Sequence, residues 1–153
     1  MDDVVVYLAG PISNKSYSDA SAWRYDAARR LREAGMVPLD PLVKERHLAN
    51  RTTMNPHGHP ETVFSTPDAI FSGDTFEIMR CHILLANLSG ADSISIGTMI
   101  EIGIAWAWGK KLVLVMEAEN VHGHAFLDTI TRSVFTTLDD AVTFITGVYG
   151  RKT

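Results

Sequence analysis

The chain has 153 residues, a formal net charge of −4, 46% hydrophobic and 21% charged residues. That length fits one domain with a single well-filled core and the balance is that of a soluble globular protein, while the acidic sign, with no basic stripe, excludes a nucleic-acid backbone as the main ligand. The lone cysteine, Cys81, excludes an internal disulfide framework, and with no basic-then-apolar leader or membrane-length run the expectation is a soluble, cytoplasmic chain.

Val4-Val-Val-Tyr-Leu8 is a β-branched run that reads as a central first strand. It empties into Ala9-Gly-Pro-Ile-Ser13, a tight ligand-facing loop in which Gly10 permits close backbone approach. A helix is predicted from about Asp19 to Ala34, with Trp23, Ala27 and Leu31 on the buried face and Arg24, Arg29, Arg30 and Arg32 largely off it. Gly35 ends it, and Met36-Val-Pro-Leu-Asp40 is a short strand whose proline rules out a long central position. From Pro41 to Ser65 the pattern dissolves among Pro41, Pro56, Pro60, His47, His57 and His59. A stretch that long is expected to be a lid or entrance loop, with a helical piece near Leu42–Asn50.

Thr66-Pro67-Asp68 is a helix start, an N-cap hydroxyl followed by proline and an acid, and the helix runs to about Arg80. On it Asp74 shares a row with Ile70 and Ile78, an awkward place for an unpaired carboxylate. His82–Leu88 is a buried strand, the stretch opening on Gly97-Thr98 and stopping at Gly109 is a helix, and Lys111–Met116 is another strand: a βαβ unit of a parallel sheet. Glu117–Thr131 is read as irregular, Val134-Phe135 as a short edge strand, and Thr137 as the cap of a last helix to about Gly147. The alternation predicts a single-domain α/β fold over residues 1–153, an open, mostly parallel sheet with helices on both faces, Rossmann-like or flavodoxin-like. A fold of that kind does not by itself fix a function.

Glu101 is placed in the first turn of the βαβ helix, at the carboxyl end of a strand where open α/β sheets bind ligands. Two readings stand side by side. Thr98-x-x-Glu101 matches a capping box, which would make the acid structural, whereas the small residues of Ser95-x-Gly97-Thr98 bring backbone close to a ligand, which would make it chemical. Asp74 is either a partly buried acid satisfied by a neighbour or the second carboxylate of a cleft suited to N-glycosidic chemistry, one acid stabilising an oxocarbenium-like sugar and the other handling protons. Tyr7 ends the first strand, where its hydroxyl can hold a carboxylate in place. His57-Gly-His59 and His122-Gly-His124 lack metal-site spacing and read as loop histidines. There is no dinucleotide fingerprint, phosphate loop or nucleophile elbow.

Taken together, these residues resemble the nucleoside 2-deoxyribosyltransferase family. The matching pieces are Val5-Val-Tyr-Leu-Ala-Gly-Pro-Ile12, Asp74 ahead of Ile83–Leu88, Gly97-Thr98-Met-Ile-Glu101-Ile-Gly103-Ile-Ala105 with Gly109-Lys110, and Leu127-Asp128. They span nearly the whole chain in order; the Gly-Thr-x-x-Glu-x-Gly-x-Ala run is moderately specific and each other piece is weak alone. The resemblance implies that Glu101 attacks C1′ of a 2′-deoxyribonucleoside to form a deoxyribosyl ester that a second nucleobase or water collects. It implies that Asp74 assists protonation of the leaving base, that Tyr7 orients the nucleophile, and that Gly10, Pro11, Ile12, Ser95, Gly97, Thr98 and Asp128 contact substrate. No metal or organic cofactor is implied. Asp128 would reach a neighbouring subunit's site in a homo-oligomer, and the expected exposed aromatic and apolar content of Trp106, Trp108, Val121, Phe126 and Leu127 is compatible with that.

Ser95 departs from the aspartate that many of these transferases carry six residues before the glutamate. Serine there resembles the related 2′-deoxynucleoside 5′-monophosphate N-glycosidases, whereas Asp128 would repel a phosphate dianion and suits a free 5′-hydroxyl. The free nucleoside is therefore favoured, and the monophosphate is the alternative, with Arg24, Arg51 and Arg132 as sources of charge if they point inward. A third possibility, a non-catalytic nucleotide-binding module, requires Glu101 to be buried with only its capping bond made. A shared cleft holding Tyr7, Asp74 and Glu101 removes it.

Overall fold

The computed structural model describes residues 2–59 and 61–151, so that Pro60 of the irregular stretch lies outside the described residues. Five parallel strands, β1 (Val5–Ala9), β2 (Val37–Leu39), β3 (Ile83–Asn87), β4 (Lys111–Val115) and β5 (Val134–Phe135), form one sheet in the order β2-β1-β3-β4-β5. Of the two layouts the sequence suggests, this is the flavodoxin-like one. Its strand order reverses between β1 and β3, and a crevice opens there beyond the carboxyl ends of the strands.

Strand alternation assigns the two faces. Val6 and Leu8 of β1, with Ile83, Leu85, Val113 and Val115, pack on α1 (Tyr17–Glu33) and α5 (Leu138–Tyr149). Tyr7 and Ala9, with Leu84, Ala86, Leu112 and Leu114, meet the other layer. That layer is α2 (Pro67–Arg80), which contributes Ile78, α3 (Ile96–Ala107), which contributes Ile102 and Ala105, and α4 (Ala125–Ile130), which contributes Leu127. The period of two along β1 thus sends Tyr7 to the side where α2 and α3 carry their carboxylates.

The helix starts form as their residues dictate. Thr66 Oγ1 accepts from Ala69 N at 3.3 Å with Pro67 at the first helical position, and Thr137 Oγ1 accepts from Asp140 N at 3.1 Å.

Two stretches read as irregular contain structure. Pro41–Leu48 is a 3-10 helix capped by Asp40, whose carboxylate accepts from Leu42 N at 2.9 Å. Its Leu42 and Leu48 are buried with Met54 and Ala20, Ile12 and Tyr17 packing against them, which ties half of the expected entrance loop to the loop after β1. Within Glu117–Thr131, α4 is capped by the His124 ring, whose Nδ1 accepts from Phe126 N at 3.1 Å. Among the described residues, no helix is long and apolar enough to cross a membrane.

Candidate active site

Three side chains from three elements converge on the face of the sheet that α2 and α3 cover. Tyr7 comes from β1 and is fully buried. Asp74 comes from the middle of α2, one turn before the buried Ile78, its side chain 16% exposed. Glu101 comes from α3 on the face shared by Thr98, Ile102 and Ala105, half-buried overall but with Oε2 enclosed. Among the described residues, neither the Tyr7 hydroxyl nor Glu101 Oε2 has a partner at hydrogen-bond geometry. They face each other closely enough for each to bias the other's charge: Tyr7 holds the glutamic acid down, and Glu101 raises the phenol.

The electrostatics separate the two acids. Burial first, and the charge of Asp74 second, push the Glu101 carboxyl up to about 7. Burial also raises Asp74, but the Lys44 ammonium, 2.9 Å from Oδ1, works against that rise. Tyr7 stands well above the ordinary phenol range, through burial and then the two carboxylates. A tyrosine that stays protonated can only donate to a neighbouring carboxylate, so its role toward Glu101 is fixed in sign.

Glu101 is therefore not the partner in a capping box. It is the sixth residue of a helix that begins at Ile96, in the second turn rather than the first, and it lies beyond reach of the cap. The cap residue is Ser95, whose hydroxyl pairs with Thr98 Oγ1 at 2.8 Å and takes no backbone N–H of the first turn. Ser95 is positioned from outside: its N–H donates to His122 Nε2 at 2.8 Å, and His122 Nδ1 meets Asn120 Oδ1 at 2.9 Å. These two bonds make His122 a neutral ring with its proton on Nδ1, and burial lowers its pKa in the same sense. Asn120 Nδ2 donates to Leu88 O at 2.7 Å and to Glu117 Oε2 at 2.8 Å, and Glu117 Oε1 accepts from Gly90 N at 2.7 Å. The loops after β3 and β4 are thus one hydrogen-bonded unit behind the start of α3.

The loop after β1 is held from beneath by Arg24. The sequence places this side chain off the buried face of α1, yet it is fully buried. Its guanidinium donates to Gly10 O at 2.8 Å, to Leu8 O at 3.4 Å and to Ala20 O, with Asp40 3.8 Å away. The carbonyls at the exposed end of β1 need donors, and a buried arginine supplies them. That also removes Arg24 as a source of charge for a phosphate. Arg51 is paired with Glu61, and Arg132 lies exposed.

Gly10 does permit a close approach, but to the protein itself: a Cβ there would lie 2.9 Å from Asn87 O and 3.0 Å from the Trp23 ring. Pro11 lines a cavity of about 140 Å³ with Lys15, Asp19, Trp23, Asn87 and Ser89. Ile12 is half-buried against the cluster under the 3-10 helix. Gly97 is exposed, with open space where a Cβ would stand, and Thr98 is buried. Asp128 is exposed on α4, and no hydrogen bond or ion pair joins it to the carboxylates among the described residues. Lys44, Arg24, His122 and Asn120 are the site's unanticipated members, since each acts through a contact far away in sequence.

The sequence profile of the family described as nucleoside 2-deoxyribosyltransferase matches residues 6–138. Three solved structures share the fold over nearly their whole length. A 2-deoxyribosyltransferase from Leishmania mexicana is 18% identical, with 95% of this chain and 99% of that chain covered and a TM-score of 0.66. A 2-deoxyribosyltransferase from Bacillus psychrosaccharolyticus is 21% identical, with 91% and 90% covered and a TM-score of 0.61. The CMP N-glycosidase BcmB of Clostridium botulinum is 20% identical, with 92% and 96% covered and a TM-score of 0.59. Identities this low speak to the fold alone. No curated protein sequence matches the chain.

Proposed function

Since this chain belongs to the nucleoside 2-deoxyribosyltransferase family, we propose that it cleaves the N-glycosidic bond of 2′-deoxyribonucleosides and passes the sugar to another nucleobase or to water. The observation that carries this reading is the convergence of Tyr7, Asp74 and Glu101 between the sheet and helices α2 and α3, on three elements that pack together. Glu101 attacks C1′ as the carboxylate; the C1′–N bond breaks and its electron pair stays on the base nitrogen. A proton from Asp74 neutralises that base as it leaves. A deoxyribosyl ester of Glu101 remains, and an incoming base or water reverses the sequence, returning the proton to Asp74 and freeing the carboxylate. Tyr7 donates toward Glu101 and steadies it as a nucleophile or leaving group. The ring develops positive charge as the base departs, and two carboxylates in a desolvated site stabilise it. No metal or organic cofactor is needed by this chemistry.

The free nucleoside suits the site better than its monophosphate, because Arg24 and Arg51 are already engaged and Asp128 is an acid. In this reading Asp128 completes the site of a neighbouring copy in a homo-oligomer, and the 41–65 segment forms the entrance. The uncapped first turn of α3 favours the second reading, a deoxynucleoside 5′-monophosphate N-glycosidase, since free backbone N–H groups beside the Ser95 and Thr98 hydroxyls suit a phosphate. One experiment separates the two. The protein is incubated with deoxyadenosine, with and without cytosine, and in parallel with deoxyadenosine monophosphate, beside a Glu101→Ala variant. Deoxycytidine formed only by the wild-type protein is the expected result; adenine released only from the monophosphate would move the assignment to the glycosidase.

A further inference from the structure

We propose that Lys44 is a positioning residue for this reaction: from the 3-10 helix it holds Asp74 charged and turned toward itself until a nucleobase takes the ammonium's place. The inference rests on the N-glycosidic reading and adds a residue to it.

The geometry is that of a built contact. Lys44 Nζ lies 2.9 Å from Asp74 Oδ1, with the two side chains 36% and 16% exposed. The residue before Asp74 is Gly73, and a Cβ there would stand 2.8 Å from Lys44 Nζ, so that a side chain at this position would have to push the ammonium aside. The lysine is also aimed. Its helix is fixed by the Asp40 cap, by burial of Leu42 and Leu48, and by the Tyr17 hydroxyl, which donates to Leu42 O at 3.1 Å.

Asp74 is surrounded by charge of both signs: Lys44 and Glu45 from the 3-10 helix, Glu101 from α3, Arg24 from α1, and Glu77 on its own helix, with the Tyr7 phenol from β1. Of the cations among the described residues, only Lys44 touches it. Among the described residues no cation touches Glu101, whose carboxyl is pushed up to about 7. In the free protein the Lys44 contact therefore opposes protonation of Asp74, the reverse of what the reaction needs. A base seated against Asp74 displaces the ammonium, Asp74 becomes the better proton holder, and Glu101 is left as the charged nucleophile. The reactive distribution thus arises only with a base in place.

The test follows the Asp74 carboxyl carbon by NMR across pH in the wild-type protein and in Lys44→Met and Lys44→Arg, with Asp74→Asn to assign the resonance. The Asp74 midpoint is expected to rise by about one pH unit in Lys44→Met and to return in Lys44→Arg. The alkaline limb of kcat/KM with a deoxynucleoside, which reports loss of the last proton from the Asp74–Glu101 pair, is expected to move upward as well, because the Lys44 charge lowers both carboxyls. A midpoint that does not move in Lys44→Met overturns the proposal, as does a moved midpoint with an unmoved limb. If the wild-type protein turns over neither a deoxynucleoside nor its 5′-monophosphate, the N-glycosidic reading falls, while a moved midpoint still upholds the hold of Lys44 on Asp74.

Discussion

A carboxyl lifted from its ordinary 4.5 to about 7 is a cost that the fold carries at Glu101. Between those values the folded protein keeps a proton that the unfolded chain has released, so the contribution of Glu101 to stability is full below about 4.5 and is lost as pH rises through about 7. By pH 8 the loss reaches about 3 kcal/mol at most. Glu101→Gln removes the charge and keeps the shape. It is expected to raise the melting temperature by several degrees at pH 8 and hardly at all at pH 5, while lowering turnover on the order of 10⁴-fold or more. A variant that melts no higher at pH 8 would mean that the carboxylate is not desolvated. Asp74→Asn probes the proton rather than the nucleophile, and a loss of about 10²–10⁴-fold is expected. That loss should shrink for substrates whose base leaves readily without protonation, which steady-state rates on a series of base analogues would measure.

At the scale of elements, the strands and long helices were legible because their signals are local. The β-branched run of β1, the Thr66-Pro67 start of α2 and the apolar runs of β3 and β4 each state their element within a few residues. Asp74 was legible as an acid in an apolar helix row and Glu101 as an acid near a helix start beyond a strand, whereas Tyr7, which the sequence puts at the end of its strand, is the central residue of β1. The letters of a capping box at Thr98 mislead because the helix begins three residues earlier than that box requires, at Ile96. Arg24 points inward because carbonyls at the end of β1 require donors, a demand set by a neighbouring element and not by the period of α1. Helix α4 escaped notice because it is six residues long and its cap is a histidine ring. The link from His122 to Ser95 spans 27 residues and has no local signature. It carries its own prediction. His122→Phe keeps the ring volume but leaves the half-buried Ser95 N–H without an acceptor, so urea unfolding should report a loss of about 1–3 kcal/mol. Because the start of α3 would loosen with it, KM is expected to rise more than kcat falls. An unchanged unfolding midpoint would show that Ser95 finds another acceptor.

For the whole molecule the unanswered demand is surface. Ile96 is 72% exposed, Ile100 47%, Trp106 57% and Phe126 75%, so α3 and α4 turn large apolar groups outward. On these same helices lie Ser95 at the start of α3 and Asp128, which no contact joins to this chain's own carboxylates among the described residues. A second copy seated on this surface would cover the apolar groups and bring an Asp128 to the site that lacks one, the arrangement a closed symmetric interface favours. Light scattering is then expected to give a multiple of the 16.9 kDa chain, reduced by Ile100→Glu. The decisive measurement is complementation. Glu101→Ala and Asp128→Ala proteins are each expected to be nearly inactive. When the two are mixed and allowed to exchange subunits, some interfaces pair an intact Glu101 from one copy with an intact Asp128 from the other. Such sites lack nothing, so activity should return to a fraction set by the mixing ratio. If each site is built from one chain, no mixture holds an intact site and activity stays at the level of the separate variants.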